Sequence, residues 1–318
     1  MLSISRSRLP SAVPLTNLDS TQWRELAALH KERVLSMLGG SLQIDPRHPV
    51  YNFLFFYYSF DKEILLRYSP GTNVLCQGVG VNEPDLWTGR GWQTDGMGRG
   101  MMDVSLCKPS MRTAARTAAE VMRRSSARPP HLNCYGLHEW AMLYDPKGQG
   151  VARRHQTLPL RVEQHSLNRV VESVPLACTH FDATRFFTAA ALPLNTVNNP
   201  VPSRAAQPQL EQPGCVHASM DLFRYSLKLW PWVPSVLLAD ALEVAIAART
   251  LDMRASPYDL SEFDGQGGFD LSPVCIETDQ GRKVYQREQA ALSHRAAPVR
   301  ARLLREYQAA IAVWDSDE

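Results

Sequence analysis

Three short segments set an imidazole beside a carboxylate: Gly136-Leu137-His138-Glu139-Trp140, Thr179-His180-Phe181-Asp182 and His217-Ala218-Ser219-Met220-Asp221. In the third, the i, i+4 spacing places ring and carboxylate on one face of a helix. Imidazole and carboxylate are the usual ligands of Zn, Fe or Mn, and three such segments supply a three-point site. His138, His180 and His217 are therefore the candidate metal ligands. They lie roughly 40 residues apart in sequence, so only tertiary packing can unite them. The commoner alternative is that each ring hydrogen-bonds a backbone group within a packed core. A third reading needs no metal: one carboxylate, kept basic in a dry aromatic pocket, activates water. Glu139, between His138 and Trp140, is the first candidate for that role, Asp182 the second and Asp221 the third. Arg185, one turn beyond Asp182, is a ready partner that would make Asp182 structural.

The densest aromatic block is Val50–Phe60, where seven of eleven residues are Phe or Tyr. No single helix or strand face hides them all, so the block is either enclosed by protein or lines a cavity. Tyr51, Phe55, Tyr57 and Tyr58, with Trp140 and Phe186-Phe187, supply faces for stacking a small flat ligand such as a nucleobase. A Phe/Tyr-rich core is the competing reading. The tyrosines are the more informative, because their hydroxyls need partners. Arg254 either contacts an anionic group or pairs with Asp252 or Asp259. Arg112, Arg116 and Arg123 fall on one face of a predicted helix and could track a phosphate backbone; such a stripe is as often a solvated face.

The elements that must position these groups are mostly helical. Asp19-Ser20-Thr21-Gln22 has capping-box spacing and opens a helix that Gly39-Gly40 stops. Residues 41–49 read as a linker and 69–100, rich in Gly, Asp and Asn, as an irregular loop region. Pro109 to about Ser126 reads as helix, Asn133–Tyr144 as strand or helix, Leu158–Val162 as a short strand and Thr179–Phe187 as a helix with a Thr cap. Pro193–Pro213 holds five prolines and reads as a long ordered loop. Two consecutive helices follow over Gly214–Trp230 and Pro234–Met253, and a charged helix over Gln280–Trp314, interrupted at Pro298. The expected fold class is mainly α with a small β component: a flexible tail over residues 1–18 and a single large catalytic domain over 19–318.

Composition narrows the classes further. The 318 residues are 44% hydrophobic and 21% charged, which excludes a disordered chain, a collagen-like repeat and a disulfide-stapled miniprotein. No apolar run approaches the roughly 20 residues a membrane helix needs. Of 34 basic residues only six are Lys; the Arg excess either favours an anionic ligand or reflects codon bias. A net charge of +2 is low for a protein that grips duplex DNA through its phosphates. The six cysteines form no C-x-x-C pair and sit mostly among apolar neighbours, as buried reduced thiols of an intracellular protein do. A cytoplasmic location is expected, with organellar targeting by residues 1–18 as the alternative. Gly78-Val79-Gly80 lacks the helix that a helix-hairpin-helix requires, Gly96-x-Gly98-x-Gly100 follows no clear strand, and no P-loop or nucleophile elbow occurs.

Several longer stretches carry a resemblance: His48–Ser59, Tyr135-Gly-Leu-His-Glu-Trp-Ala-Met142, Thr179–Phe187, Gln212–Leu222 and Leu251–Leu260. Together, over about residues 45–305, they resemble a bacterial, especially actinobacterial, family of similar length commonly called 3-methyladenine DNA glycosylases. The resemblance implies an N-glycosylase-like hydrolase of DNA repair that removes an alkylated purine. The aromatic block would cage the cationic base, and Glu139 or Asp182 would stabilise the sugar cation or activate water. A metal-dependent enzyme on a small flat or anionic substrate, with His138, His180 and His217 as ligands, is the alternative. A non-catalytic protein that binds a ligand in the aromatic cavity is the third.

Overall fold

The computed structural model describes residues 15–151 and 157–316. About 51% of the described residues are helix and 7% strand, the mainly α class with a small β part that the sequence predicts. Most of the tail assigned to residues 1–18 lies outside the described residues. Its last residues instead form β1 (Thr16–Leu18), which pairs in parallel with β2 (Val74–Gln77). Between them runs α1 (Ser20–Met37), capped as expected: Asp19 accepts from the Thr21 and Gln22 amides while the Gln22 side chain accepts from the Asp19 amide.

The region expected as irregular loop carries β2, β3 (Trp92–Thr94) and β4 (Arg99–Met102). They join β1 in one sheet of order β1-β2-β4-β3, antiparallel except for the first pair. Three- and four-residue strands are too short to show a period-2 pattern, so their glycines dominate the sequence signal. The aromatic block adopts a π-helical turn (Asn52–Tyr57), closed by the Tyr58 amide donating to the Phe53 carbonyl five residues back. A wider turn spreads the rings over more directions than an α-helix would.

The helical body comprises α2 (Pro109–Ser126), α3 (Leu137–Ala141), α4 (Gln164–Ser173), α5 (Phe181–Thr184), α6 (Gln207–Leu210), α7 (Val216–Lys228), α8 (Ser235–Arg254) and α9 (Asp279–Ser316). Helix α7 packs on α8, α9 spans both, and α2 closes against α9. Helix α8 is buried on almost every side, which explains its apolar composition. Buried indoles pin the layers: Trp140 donates to the Ala255 carbonyl, Trp232 to Asp103 and Trp314 to Val104.

Four further expectations change. Helix α9 runs unbroken through Pro298, which sits on its exposed side, so the hydrogen bond proline forfeits is lost where water can replace it. Leu158–Val162 contributes a single bridge, Leu160 to Tyr258, rather than a strand. The helix expected over Thr179–Phe187 shrinks to α5, with His180, not Thr179, at its N-cap. The proline-rich stretch contains the short α6.

Candidate functional site

Three buried segments converge where α3, α5 and α7 meet α8. The His138 and His217 rings are 4.6 Å apart, edge to face, and the His180 and His217 rings stack at 5.1 Å. The three imidazoles predicted from sequence therefore share one interior region, each at most 3% exposed. They do not form one ligand set. His138 and His217 group with Asp252 of α8, and His180 groups with Glu211 and Asp221; within each trio the candidate ligand atoms lie within 4.8 Å of one another. His217 and Asp221, one turn apart on α7, thus serve different trios.

Local backbone explains the placement of His138. Tyr135 and Gly136 both have positive φ, 50° and 71°, immediately before α3. At Gly136 a Cβ would lie 3.1 Å from the Ala255 Cβ, so glycine allows α3 to seat against the end of α8. Two left-handed residues in sequence, one of them tyrosine, are a strained lead-in that the surrounding packing must enforce.

In the first trio, His138 Nε2 and Asp252 Oδ1 are 2.7 Å apart. The oxygen lies off the ring N–H direction, however, and neither buried atom has a hydrogen-bond partner. The other carboxylate oxygen, Oδ2, accepts from Arg249 at 2.6 Å, and the same guanidinium nitrogen donates to Glu139 at 2.6 Å. Arg249 also donates to the Pro49 carbonyl and lies 5.0 Å from the Phe53 ring centre. Burial opposes charge on His138, yet the Asp252 carboxylate, aided by Cys134, carries its pKa well above the ordinary value. His217 moves the other way: burial and the neighbouring His138 cation hold its pKa well below 6.5, so its ring stays neutral. The Tyr285 hydroxyl, whose pKa burial pushes well up, also lacks a hydrogen-bond partner among the described residues.

The second trio carries more internal bonds, although the buried His180 Nδ1 and Arg224 Nε have no hydrogen-bond partner among the described residues. His180 Nε2 lies 3.3 Å from Asp221 Oδ2 and 3.5 Å from Glu211 Oε2. Burial lowers its pKa, but the bonds to Asp221 and Glu211 win and raise it to about 9. Asp221 further accepts from Arg224, from Gln207 at 3.4 Å and from the Tyr58 hydroxyl at 3.1 Å. Gln207 also donates to Glu211 at 2.7 Å. Arg224 ties this trio to Asp182, donating at 2.8 Å, and the Tyr57 hydroxyl donates to Asp182 at 3.4 Å.

The remaining predicted residues divide. Glu139 and Asp182 are each bound to a guanidinium. Tyr57 and Tyr58 reach the carboxylates through their hydroxyls, and Phe53, which was not singled out, stacks on Tyr57 at 4.8 Å and meets His217 edge-on at 5.7 Å. Tyr51 donates to the Met37 carbonyl and stacks on His48, Phe55 packs against Tyr51, Phe60 and Phe223, and Trp140 is anchored to Ala255; these three build the core behind the site. Arg254 pairs with Glu288 and donates to the Ser272 carbonyl, not to Asp252 or Asp259. The arginine stripe of α2 is engaged within the chain: Arg112 donates to the Cys107 and Ser105 carbonyls, Arg116 pairs with Asp315 and Arg123 with Glu120.

Asp252, Arg249, Glu211 and Arg224 escaped the sequence reading. Arg249 and Asp252 had one usable signal: an i, i+3 charge pair inside the mostly apolar stretch 244–253 has no evident solvent face to explain it. The chain matches no protein-family model, no curated protein and no solved structure.

Proposed function

We propose that the protein is a metal-dependent enzyme whose ion is held by His138, His217 and Asp252 and which acts on a small flat or anionic substrate. One observation carries this: the buried ligand atoms of His138, His217 and Asp252 lie within 4.8 Å of one another, and the 2.7 Å ion pair of His138 Nε2 with Asp252 Oδ1 has no well-directed hydrogen bond. Leaving buried polar atoms unpartnered costs about 1–3 kcal/mol each. Ligand atoms of one tetrahedral ion, each about 2.0–2.2 Å from it, would sit about 3.3–3.6 Å apart, so the two side chains would part slightly to admit it. An ion would take the place of the His138 proton, which is released on binding, as the shared positive partner of both atoms. Arg249 fixes the second Asp252 oxygen, the outer support that a ligating carboxylate needs. Two imidazoles and a carboxylate suit Zn, Fe or Mn, and an ion there would polarise a substrate oxygen or lower the pKa of bound water.

Elemental analysis of protein purified without an affinity tag tests this. About one ion per chain is expected, with loss in Asp252→Asn; metal far below that level in protein supplied with all three ions overturns the reading.

The N-glycosylase activity implied by the resemblance is the second reading, favoured by the Phe53, Tyr57 and Tyr58 rings beside the carboxylates. It ranks lower because both proposed carboxylates, Glu139 and Asp182, are already engaged by arginines, Arg249 at 2.6 Å and Arg224 at 2.8 Å. Release of 3-methyladenine from alkylated DNA, undiminished by chelation, would reverse the order.

A further inference from the structure

Asp182 is ringed by three guanidiniums. Arg224 Nη1 donates to it at 2.8 Å, while Arg185 Nε and Arg204 Nη2 stand off at 3.5 and 3.6 Å. Charge-assisted N–H···O bonds run at about 2.7–2.9 Å, so only Arg224 holds this carboxylate tightly. Arg185 and Arg204 meet no other carboxylate among the described residues. Arg204 donates no hydrogen bond to any of them, and Arg185 donates only to the Tyr57 hydroxyl. Both forks are nevertheless oriented by aromatic faces: Arg204 lies 5.4 Å from the Phe181 ring centre, and Arg185 lies 4.4 Å from that of Phe186. The buried Arg224 Nε–H has no hydrogen-bond partner among the described residues. Lys228, over the Tyr225 ring, adds another cation, and its pKa is lowered by burial and by Arg224. The rim is thus rich in unengaged donors and short of negative charge, and Asp182, Arg224, Asp221 and His180 connect it step by step to His217.

We infer that Arg185 and Arg204, backed by Arg224, bind the phosphate or carboxylate group of a small molecule. That this molecule is the substrate rests on the metal-dependent reading above; the oxyanion site itself does not. On binding, Arg185 and Arg204 turn their donors to the ligand while Arg224 keeps Asp182 neutralised.

Calorimetric titration of the full chain with phenyl phosphate, benzoate and inorganic phosphate tests this, on metal-supplied and on chelated protein. Saturable binding of phenyl phosphate or benzoate is expected, and the stronger of the two identifies the oxyanion. Arg204 is exposed, so Arg204→Ala should fold normally and weaken binding about tenfold or more, whereas Arg123→Ala on α2 should leave it unchanged. Equal affinity in Arg204→Ala, or no saturable binding of any probe, overturns the inference. Binding that persists in chelated protein and in His138→Gln upholds the oxyanion site even if the metal reading fails. A bound metal ion with no probe binding upholds the metal reading alone.

Discussion

Two histidines and one carboxylate make up one trio, one histidine and two carboxylates the other, at the same depth and one helical turn apart on α7. Around His180, every charge is answered: Asp221 and Glu211 hold the imidazolium, while Arg224, Gln207 and Tyr58 serve Asp221. Around His138, the guanidinium of Arg249 serves only one face of Asp252, and two ligand atoms are left looking at each other. A buried network completed by its own side chains is a frame. One whose facing ligand atoms share no well-directed hydrogen bond is, on the metal-dependent reading, a receptor for a cation. Each network keeps two unanswered buried atoms among the described residues, His138 Nε2 and Asp252 Oδ1 in one and His180 Nδ1 and Arg224 Nε in the other; the difference is that only the first two face each other.

Breaking the frame should cost most. Asp221→Ala strands Arg224 and His180 in the interior and should lower unfolding stability by about 3–5 kcal/mol. Urea denaturation should show the same loss with and without chelator, and metal content should stay near one ion per chain. If Asp221→Ala also empties the protein of metal, the two trios are one site. The frame should also be pH-sensitive. The folded His180 pKa of about 9 exceeds its unfolded value of 6.5, so its stabilisation is complete below about 6.5 and is lost as pH rises toward 9. A shift of that size corresponds to about 3 kcal/mol, and urea midpoints of chelated protein between pH 6.5 and 9.5 should fall less steeply in Asp221→Asn than in wild type.

The receptor trio should respond to ions instead. At 100 times its Kd, the ion should stabilise the wild type by about 2.7 kcal/mol. Thermal melts should show that gain vanishing in Asp252→Asn and surviving in Glu211→Gln; survival in both would detach the ion from Asp252. A smaller effect is expected at the lead-in to α3. Gly136→Ala forces an L side chain into positive φ at about 1–2 kcal/mol and should weaken metal affinity by shifting His138. Unchanged metal affinity would show that α3 is held by other contacts. Arg123→Ala, which touches neither trio, should alter neither stability nor metal content measurably.

Much of this was legible in the sequence because it is local. The Asp19 cap, the α2, α7 and α8 spans and the predominance of helix follow from periodicity, caps and breakers that act within a few residues. The three His–carboxylate segments were equally readable as chemistry. Short strands β2 to β4 and the unbroken α9 were not, because sheet pairing and packing against α2, α7 and α8 overrode glycine and proline signals. The partition of the histidines was beyond reach for a sharper reason. Whether His217 joins His138 or His180, and whether Asp252 is answered by a side chain, depends on distances of a few ångströms between segments far apart along the chain. Composition and spacing determine which groups are present, but only the folded arrangement decides which charges neutralise each other and which atoms remain unmatched.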